Sequence, residues 1–215
     1  LRYLDCVSGA CVYDLKEKKT LYSQALDPGI VKKLMEFGME EGAMIHVLSE
    51  RSIVQKDQQS HMADFHMGIY QTMFDQITDK LENIYNSFCE EPFPVLKLNL
   101  YHRDEASRAR TVERIKAPGL ETALALAEST SLECSAKGID KGVGLKKLCE
   151  HLGLPLEQTI AVGDADNDTM ALKTAGLAVA MGNATEPIKA LADVIVADCD
   201  HNGCAEAIDK YLLAD

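Results

Sequence analysis

The sequence lacks the features that would place it in a membrane, outside the cell or on nucleic acid. No apolar run approaches the roughly 18 residues needed to span a bilayer, and no charged-then-apolar signal segment opens the chain. No Lys/Arg cluster interrupts the acidic composition, in which 22 basic residues face 34 acidic ones for a formal charge of −12. Such a surface repels a phosphate backbone. We therefore predict a cytoplasmic protein that binds neither membranes nor nucleic acid.

The cysteines do not form a disulfide framework. There are seven of them, an odd number, and no two are spaced as a Cys-x-x-Cys pair. Most lie in apolar stretches, which predicts small buried side chains in a reducing compartment.

The chain of 215 residues is long enough for one large domain or two small ones, and its pattern changes near residue 135. Before that point, a hairpin and several further strands, of which 94–101 alternates in polarity, accompany helices that begin at Pro28 and Asp104. This predicts an α+β part with a largely antiparallel sheet. The strands are predicted at 11–16, 20–25, 43–49, 52–55, 94–101, 120–127 and 131–136.

After residue 140, short continuous apolar strands alternate with helices. This rhythm predicts parallel βα units whose strands are buried on both faces. Strands are predicted at 158–162, 177–181 and 193–197, and helices at 141–152, 167–175, 185–192 and 203–213. Ligands on such sheets lie at the carboxyl ends of the strands.

An acidic loop follows the first of these strands. Gly163 permits a sharp exit from the strand, and Asp164, Asp166, Asn167 and Asp168 follow within five residues. Oxygen-rich side chains at a strand's carboxyl end predict a hard-cation site of the kind that Mg²⁺ uses. Simple capping of the next helix explains the same residues, so both interpretations stay open.

An EF-hand is excluded for this loop. Its sixth position requires glycine and its twelfth requires glutamate, but the sequence has Thr169 and Ala175 there.

Two residues outside the loop belong to the same predicted edge of the sheet. Lys141 opens a helix, where its charge opposes the helix dipole, and a bound phosphate would explain its position; a solvated surface lysine is the alternative. Asn183 lies in a strand-to-helix turn, where we predict that it caps the helix from Ala184 and shapes the site only indirectly.

Four separated elements occur in the order typical of one family. Lys141-Gly142, Gly163-Asp164-x-x-Asn167-Asp168, Met181-Gly182-Asn183-Ala184 and Ala192-Asp193 together closely resemble the haloacid dehalogenase (HAD) superfamily, and in particular its Cof-type sugar-phosphatase branch. The resemblance implies an α/β fold with a Rossmann-like core of parallel sheet and an inserted α+β cap domain. On this resemblance the core comprises residues 1–11 and 135–215, and the cap comprises 12–134.

The resemblance also implies roles for individual residues. Lys141 matches the catalytic lysine that steadies nucleophile and phosphate, and Asn167 matches a phosphate-contacting residue. Asp164 matches a Mg²⁺ ligand, and Asp168 matches the second acid of the metal motif, which holds metal-bound water or Lys141. Asp166 is at a variable position and is expected to be exposed.

The family's nucleophile segment, Asp-x-Asp-Gly-Thr, does not occur in the sequence. We expect it to precede residue 1, with the first two strands of the core and about 50 residues in all. A partial core of this kind would expose a sheet edge, and we predict that the protein self-associates through this edge. We also expect that the chain without the nucleophile segment does not turn over substrate.

The leading functional hypothesis is a Mg²⁺-dependent phosphatase of small phosphorylated metabolites that uses the family's aspartyl-phosphate mechanism. A non-catalytic remnant that binds a metal, a phosphometabolite or a protein is the alternative, and a phosphomutase is a third. His46, His61, His66 and His102 lie in the predicted cap, and we predict that they are surface residues or have satisfied hydrogen bonds.

Overall fold

A computed structural model describes residues 1–128 and 130–213. The chain forms two compact units, one made of Leu1–Ser23 with Ile139–Asp215 and the other of Gln24–Gly138. We call them the discontinuous unit and the inserted unit. Within the described residues, no helix is both long and apolar enough to cross a membrane.

The strands and helices alternate irregularly along the chain. The strands are β1 Tyr3–Cys6, β2 Cys11–Asp14, β3 Lys19–Ser23, β4 Met44–Leu48, β5 Ser52–Gln55, β6 Thr78–Leu81, β7 Lys97–Tyr101, β8 Thr122–Ala127, β9 Ser131–Ala136, β10 Ile160–Gly163, β11 Leu177–Ala180 and β12 Val194–Ile195. The helices are α1 Pro28–Glu40, α2 Lys56–Gln59, α3 Gln71–Ile77, α4 Ile84–Glu90, α5 Glu105–Lys116, α6 Lys141–Leu152, α7 Thr169–Thr174, α8 Glu186–Leu191 and α9 Gly203–Ala207.

The inserted unit is built on a sheet with the strand order β6-β5-β4-β7-β9-β8. Only the β5–β6 pair is parallel among the described pairings of this sheet, which confirms the largely antiparallel prediction. Leu98 and Leu100 of β7 are fully buried on one face of the sheet. Lys97, Asn99 and Tyr101 alternate with these leucines along β7.

The discontinuous unit contains two separate sheets in its described residues. β1, β2 and β3 form an antiparallel sheet, and β10, β11 and β12 form a parallel one. Ala178 and Ala180 of β11 pack in one apolar cluster and Val179 packs in another, so this strand is buried on both faces as predicted. The fold is therefore α/β with a parallel sheet.

Three helix starts follow from side-chain caps. Asp27 accepts the backbone N–H groups of Gly29 and Ile30 at the start of α1. Asp104 and Asp140 cap α5 and α6 in the same way. Each aspartate satisfies N–H groups that have no partner inside the helix, and the predicted starts of these helices are confirmed.

The unit boundaries differ from the predicted ones. The prediction placed β2 and β3 in the inserted part, whereas the structure keeps them with β1, because β2 pairs with β1 over its whole length. The second boundary falls at 138/139 rather than at 134/135. The predicted core segment runs to residue 215, of which 214 and 215 lie outside the described residues, as does residue 129 of the predicted cap.

Several elements are shorter than predicted. β10 begins at Ile160 because a 3₁₀ turn occupies Leu156–Gln158, and the predicted helix over 167–175 is a 3₁₀ turn followed by α7. The final helix changes to a π-helical turn over Ile208–Leu212. These differences lie at the ends of elements, where hydrogen bonding is least regular.

The cysteine prediction is only partly right. All seven are free thiols, and Cys134 and Cys149 are buried, but Cys199 and Cys204 are exposed. Cys199 opens a 3₁₀ turn, and Cys204 is the second residue of α9.

The histidine prediction is confirmed. His46 and His102 are buried with both ring nitrogens in hydrogen-bond contact. His61 and His66 are exposed and contact backbone carbonyl oxygens of Asp57 and Arg103.

Candidate active site

The loop after β10 is folded back on itself by one carboxylate. Asp168 Oδ2 accepts the backbone N–H groups of Asp164 at 3.0 Å and Ala165 at 3.2 Å. A Cβ on Gly163 would lie 2.5 Å from the Asp168 Cβ, so only glycine allows this approach. Asp168 is thereby held at the carboxyl end of β10.

Lys141 reaches the same carboxylate from the start of α6. Its Nζ donates to Asp168 Oδ1 at 2.5 Å, and its side chain is about one-third exposed. The structure thus brings together two of the predicted site residues, Lys141 and Asp168.

Close packing between α6 and α7 permits this contact. A Cβ on Gly142 would lie 2.5 Å from the backbone oxygen of Met170. Because backbone atoms cannot move aside cheaply, glycine is needed beside Lys141 for the two helices to approach.

The pKa of Asp168 reflects two opposing influences. Burial raises this pKa, but the hydrogen bonds from Lys141 and from the amides of Asp164 and Ala165 outweigh it and hold the pKa below its ordinary value. Asp168 is therefore a carboxylate at neutral pH, in a charge-assisted pair with Lys141.

Asp164 is exposed and is oriented from the neighbouring strand-to-helix loop. Its Oδ2 accepts a hydrogen bond from Asn183 Nδ2 at 3.1 Å, and Asn183 Oδ1 accepts the backbone N–H of Cys199 at 3.0 Å. The predicted capping role of Asn183 is wrong, because α8 begins at Glu186 with Thr185 in the capping position. Its predicted indirect role fits the observed contact with Asp164.

Asn167 and Asp166 occupy the 3₁₀ turn between Asp164 and Asp168, and both are exposed. The exposure of Asp166 is as predicted. Asn167 lies on the same short loop as Asp164 and presents its amide to solvent.

A cleft of about 300 Å³ lies beside Lys141 and Asp168, and it also contains Asp5 of β1. Burial of its carboxyl, with Asp140 nearby, raises the pKa of Asp5 to about 6 against the opposing effect of Lys141, although the side chain keeps contact with solvent. Sequence reasoning did not assign Asp5 to the site.

A glycine inside α6 signals in the sequence that another segment approaches the helix closely, and the structure shows that this segment carries Asp5. Gly144 is the fourth of the twelve residues of α6 and lies inside the helix, where glycine is unfavourable. A Cβ at this position would lie 2.1 Å from Asp5 Oδ1, so the glycine marks the close approach of the carboxylate.

The described residues offer few grouped donors for a metal ion. Among residues 1–128 and 130–213, no three His, Cys, Asp or Glu side chains are grouped to hold a metal by themselves. Both oxygens of Asp168 already accept hydrogen bonds, whereas Asp164 is exposed. Mg²⁺ often takes one or two protein carboxylates and completes its shell with water and substrate phosphate, so Asp164 fits such an ion.

Comparison with known proteins identifies the family. The model of the haloacid dehalogenase-like hydrolases matches residues 2–208. A haloacid dehalogenase-like hydrolase from Bacteroides thetaiotaomicron shares 25% identity and a TM-score of 0.80, over 97% of this chain and 76% of its own. The HAD subclass IIB sugar phosphatase BT4131 has the same fold, with 20% identity and a TM-score of 0.80 over 100% of this chain and 77% of its own.

Curated relatives match over shorter stretches. Phosphatase YwpJ of Bacillus subtilis is 46% identical over 83 residues, which are 39% of this chain and 29% of the relative. The 5-amino-6-(5-phospho-D-ribitylamino)uracil phosphatase YcsE of the same organism is 36% identical over 118 residues, 55% of this chain and 47% of the relative. The chain thus spans less than half the length of either relative in these matches. From the acidic loop, the lysine that contacts it and the match over residues 2–208, the chain belongs to the haloacid dehalogenase-like hydrolase family.

Proposed function

We propose that this chain forms part of a Mg²⁺-dependent phosphatase that hydrolyses small phosphorylated metabolites. The observation that carries the proposal is the contact between Lys141 and Asp168 beside the exposed Asp164. It presents one cation, one open carboxylate and an exposed amide at the carboxyl end of a parallel strand, where such sheets bind phosphorylated ligands.

Each residue has a separate task in this proposal. Lys141 holds a phosphate oxygen through its ammonium group, and Asp168 positions that ammonium group through their hydrogen bond. Asn167 donates its amide N–H to a second phosphate oxygen. Asn183 orients the Asp164 carboxylate through the hydrogen bond at 3.1 Å.

Asp164 is the residue proposed to hold Mg²⁺, and Asp168 is proposed to act beside it through Lys141 or metal-bound water. The ion would supply positive charge next to the phosphoryl oxygens. No residue of this chain is assigned as the nucleophile of the aspartyl-phosphate mechanism.

The relatives support the substrate class. YwpJ is a phosphatase, and YcsE acts on a phosphorylated ribitylaminouracil. Both names describe enzymes that hydrolyse phosphate esters, and this supports the proposal that Lys141 and Asn167 bind a phosphate group. Cytoplasmic location and self-association through the edge of β10, where Val162 is 39% exposed, stay predictions.

The test is hydrolysis of p-nitrophenyl phosphate by the product of the whole gene, with Mg²⁺ and with excess EDTA. Lys141→Ala and Asp164→Asn are each expected to lower kcat/KM by roughly 100-fold or more, since each removes charge stabilisation at the phosphoryl group. Asp166→Asn is the matched control, because it neutralises an exposed carboxylate in the same loop. Its rate should equal that of the wild type.

Wild-type rates in the Lys141 and Asp164 variants would refute the site assignment. A folded gene product that binds Mg²⁺ and phosphate without turnover would favour the non-catalytic binding protein instead. Full activity in EDTA would refute the metal dependence.

A further inference from the structure

The inserted unit contains a cavity of about 260 Å³, and every residue that lines it belongs to that unit. Three of the lining side chains are aromatic rings, from Tyr70, Phe74 and Tyr101, and two are the thioethers of Met67 and Met73. Walls of this composition are usual in small-molecule sites, and the volume suits one ring with a short substituent.

The charged side chains in the lining are acidic. Glu128 and Glu133 line the cavity, and no lysine or arginine is among the described residues that do. Glu133 forms an ion pair with Lys97, which lies outside the lining. The exposed carboxylate of Glu128 lies 3.5 Å from Ser131 Oγ, and Arg108 donates to the backbone oxygen of Glu128 rather than to its carboxylate. A ligand in the cavity can therefore reach a charged carboxylate.

His46 adds no positive charge to this lining. Burial, with Lys97 nearby, lowers the pKa of His46 to about 4, so the imidazole is neutral at pH 7. Its ring nitrogens already contact the Tyr101 hydroxyl at 3.3 Å and Ser52 Oγ at 2.7 Å. The positively charged form of His46 does not compete with a bound cation at neutral pH.

The effect of the two carboxylates reaches the wall of the cavity. Burial raises the pKa of Tyr101 to about 12, and Glu133 and Glu128 contribute to this rise against the hydrogen bond from Asn99. Both carboxylates therefore act on the Tyr101 phenol, which is neutral at pH 7. A positive charge is favoured in such surroundings and a negative charge is disfavoured.

The aromatic rings add to this preference. The face of an aromatic ring carries partial negative charge and attracts a cation that lies within about 6 Å of the ring centroid. The His46 ring lies 4.9 Å from the Phe74 ring and 6.2 Å from the Tyr101 ring, centroid to centroid, so these rings form one wall. An apolar body that carries a positive charge would use both the rings and the carboxylate.

We propose that this cavity binds a small organic cation, an ammonium group carried on an apolar body. The ammonium group pairs with the Glu128 carboxylate, and the apolar body packs against Tyr70 and Phe74. The proposal goes beyond the proposed phosphatase activity and does not depend on it, because it concerns contacts within the inserted unit alone.

The experiment is saturation-transfer NMR on the full chain at pH 7 with three probes that share one ring: benzylamine as the cation, benzyl alcohol as the neutral compound and benzoate as the anion. Benzylamine is expected to bind saturably and at least fivefold more tightly than benzyl alcohol, and benzoate is expected not to bind. Failure of benzylamine to bind overturns the proposal. Equal affinity for benzylamine and either of the other probes also overturns it.

A charge variant ties the selectivity to this cavity. Glu128→Gln removes the carboxylate at nearly constant volume and should lower the affinity for benzylamine about fivefold relative to that for benzyl alcohol, since an ion pair with an exposed carboxylate is modest. Glu113→Gln is the matched control, because Glu113 is also exposed but lies on α5 outside the lining. It should keep the wild-type affinities.

A second pair of variants tests the aromatic wall. Tyr70→Leu removes the ring but keeps an apolar side chain, whereas Tyr70→Phe keeps the ring. Benzylamine should bind about threefold more weakly to the leucine variant than to the phenylalanine variant, because only the leucine variant lacks the ring face.

Unchanged affinity for benzylamine in Glu128→Gln overturns the assignment, and so does an equal loss in Glu113→Gln. Equal affinity of the two Tyr70 variants for benzylamine also overturns it. If Tyr70→Leu does not fold, the Glu128 and Glu113 variants decide alone.

Discussion

The imidazole of His46 is 6% exposed and is held between Ser52 and Tyr101. Burial lowers its pKa to about 4, whereas the unfolded chain titrates near the ordinary value of 6.5. Between these two values the unfolded state binds more protons than the folded state, so acidification favours unfolding. At the scale of single residues, the buried imidazole of His46 therefore makes the stability of the folded state fall as the pH falls.

Acidification from pH 7 to pH 5 should therefore lower the free energy of unfolding by about 2 kcal/mol through His46. Urea denaturation at the two pH values measures this change. The contribution of His46 is the change in the free energy of unfolding of the wild type minus the change in His46→Gln. His61→Gln is the control, because His61 is exposed, and it should keep the wild-type pH dependence. Equal pH dependence in wild type and His46→Gln would show that the buried imidazole does not titrate as described.

At the scale of secondary-structure elements, two glycines occupy the same position in different helices. Gly29 is the second residue of α1 and Gly142 is the second residue of α6. A Cβ at Gly142 would meet the backbone of Met170 at 2.5 Å, whereas at Gly29 it would meet only a side-chain oxygen of Asp27 at 3.0 Å. Substituting alanine at both positions therefore tests whether packing between helices or intrinsic helix propensity determines the change in stability.

Gly142→Ala should destabilise the protein by roughly 1–3 kcal/mol, because α6 and α7 must move apart. Gly29→Ala should change the stability by less than about 0.5 kcal/mol. Thermal unfolding of both variants by circular dichroism is the measurement. Equal stability of the two variants would show that α6 and α7 do not pack closely at Gly142.

At the scale of the whole molecule, the chain has two compact units with separate apolar clusters. Units with their own cores commonly unfold in separate steps. We expect calorimetry to resolve two transitions. Leu98→Ala removes a fully buried side chain of the inserted unit and should lower one transition, at a cost of about 2–5 kcal/mol. Gly142→Ala should lower the other.

A single transition that both substitutions shift equally would contradict this expectation. Concentration should be varied as a control, because association shifts apparent stability by mass action.

Local patterns predicted most elements of both units. Caps such as Asp27 and Asp140 place helix starts by hydrogen bonds to neighbouring N–H groups, and apolar alternation places strands such as Lys97–Tyr101. The unit boundary was misplaced because the affiliation of β2 depends on its pairing with β1. The predicted first and last residues of several elements also differ from the observed ones, because hydrogen bonding at the ends of helices and strands is irregular.

The amino-acid sequence alone determined the acidic loop, its position after an apolar strand and the lysine that opens α6, because these depend on residues close together in the chain. The tertiary structure decided which of them meet. The Lys141–Asp168 contact, the support of Asp164 by Asn183 and the approach of Asp5 to Gly144 each join distant segments. Packing between elements creates such contacts, so no local pattern specifies their distances.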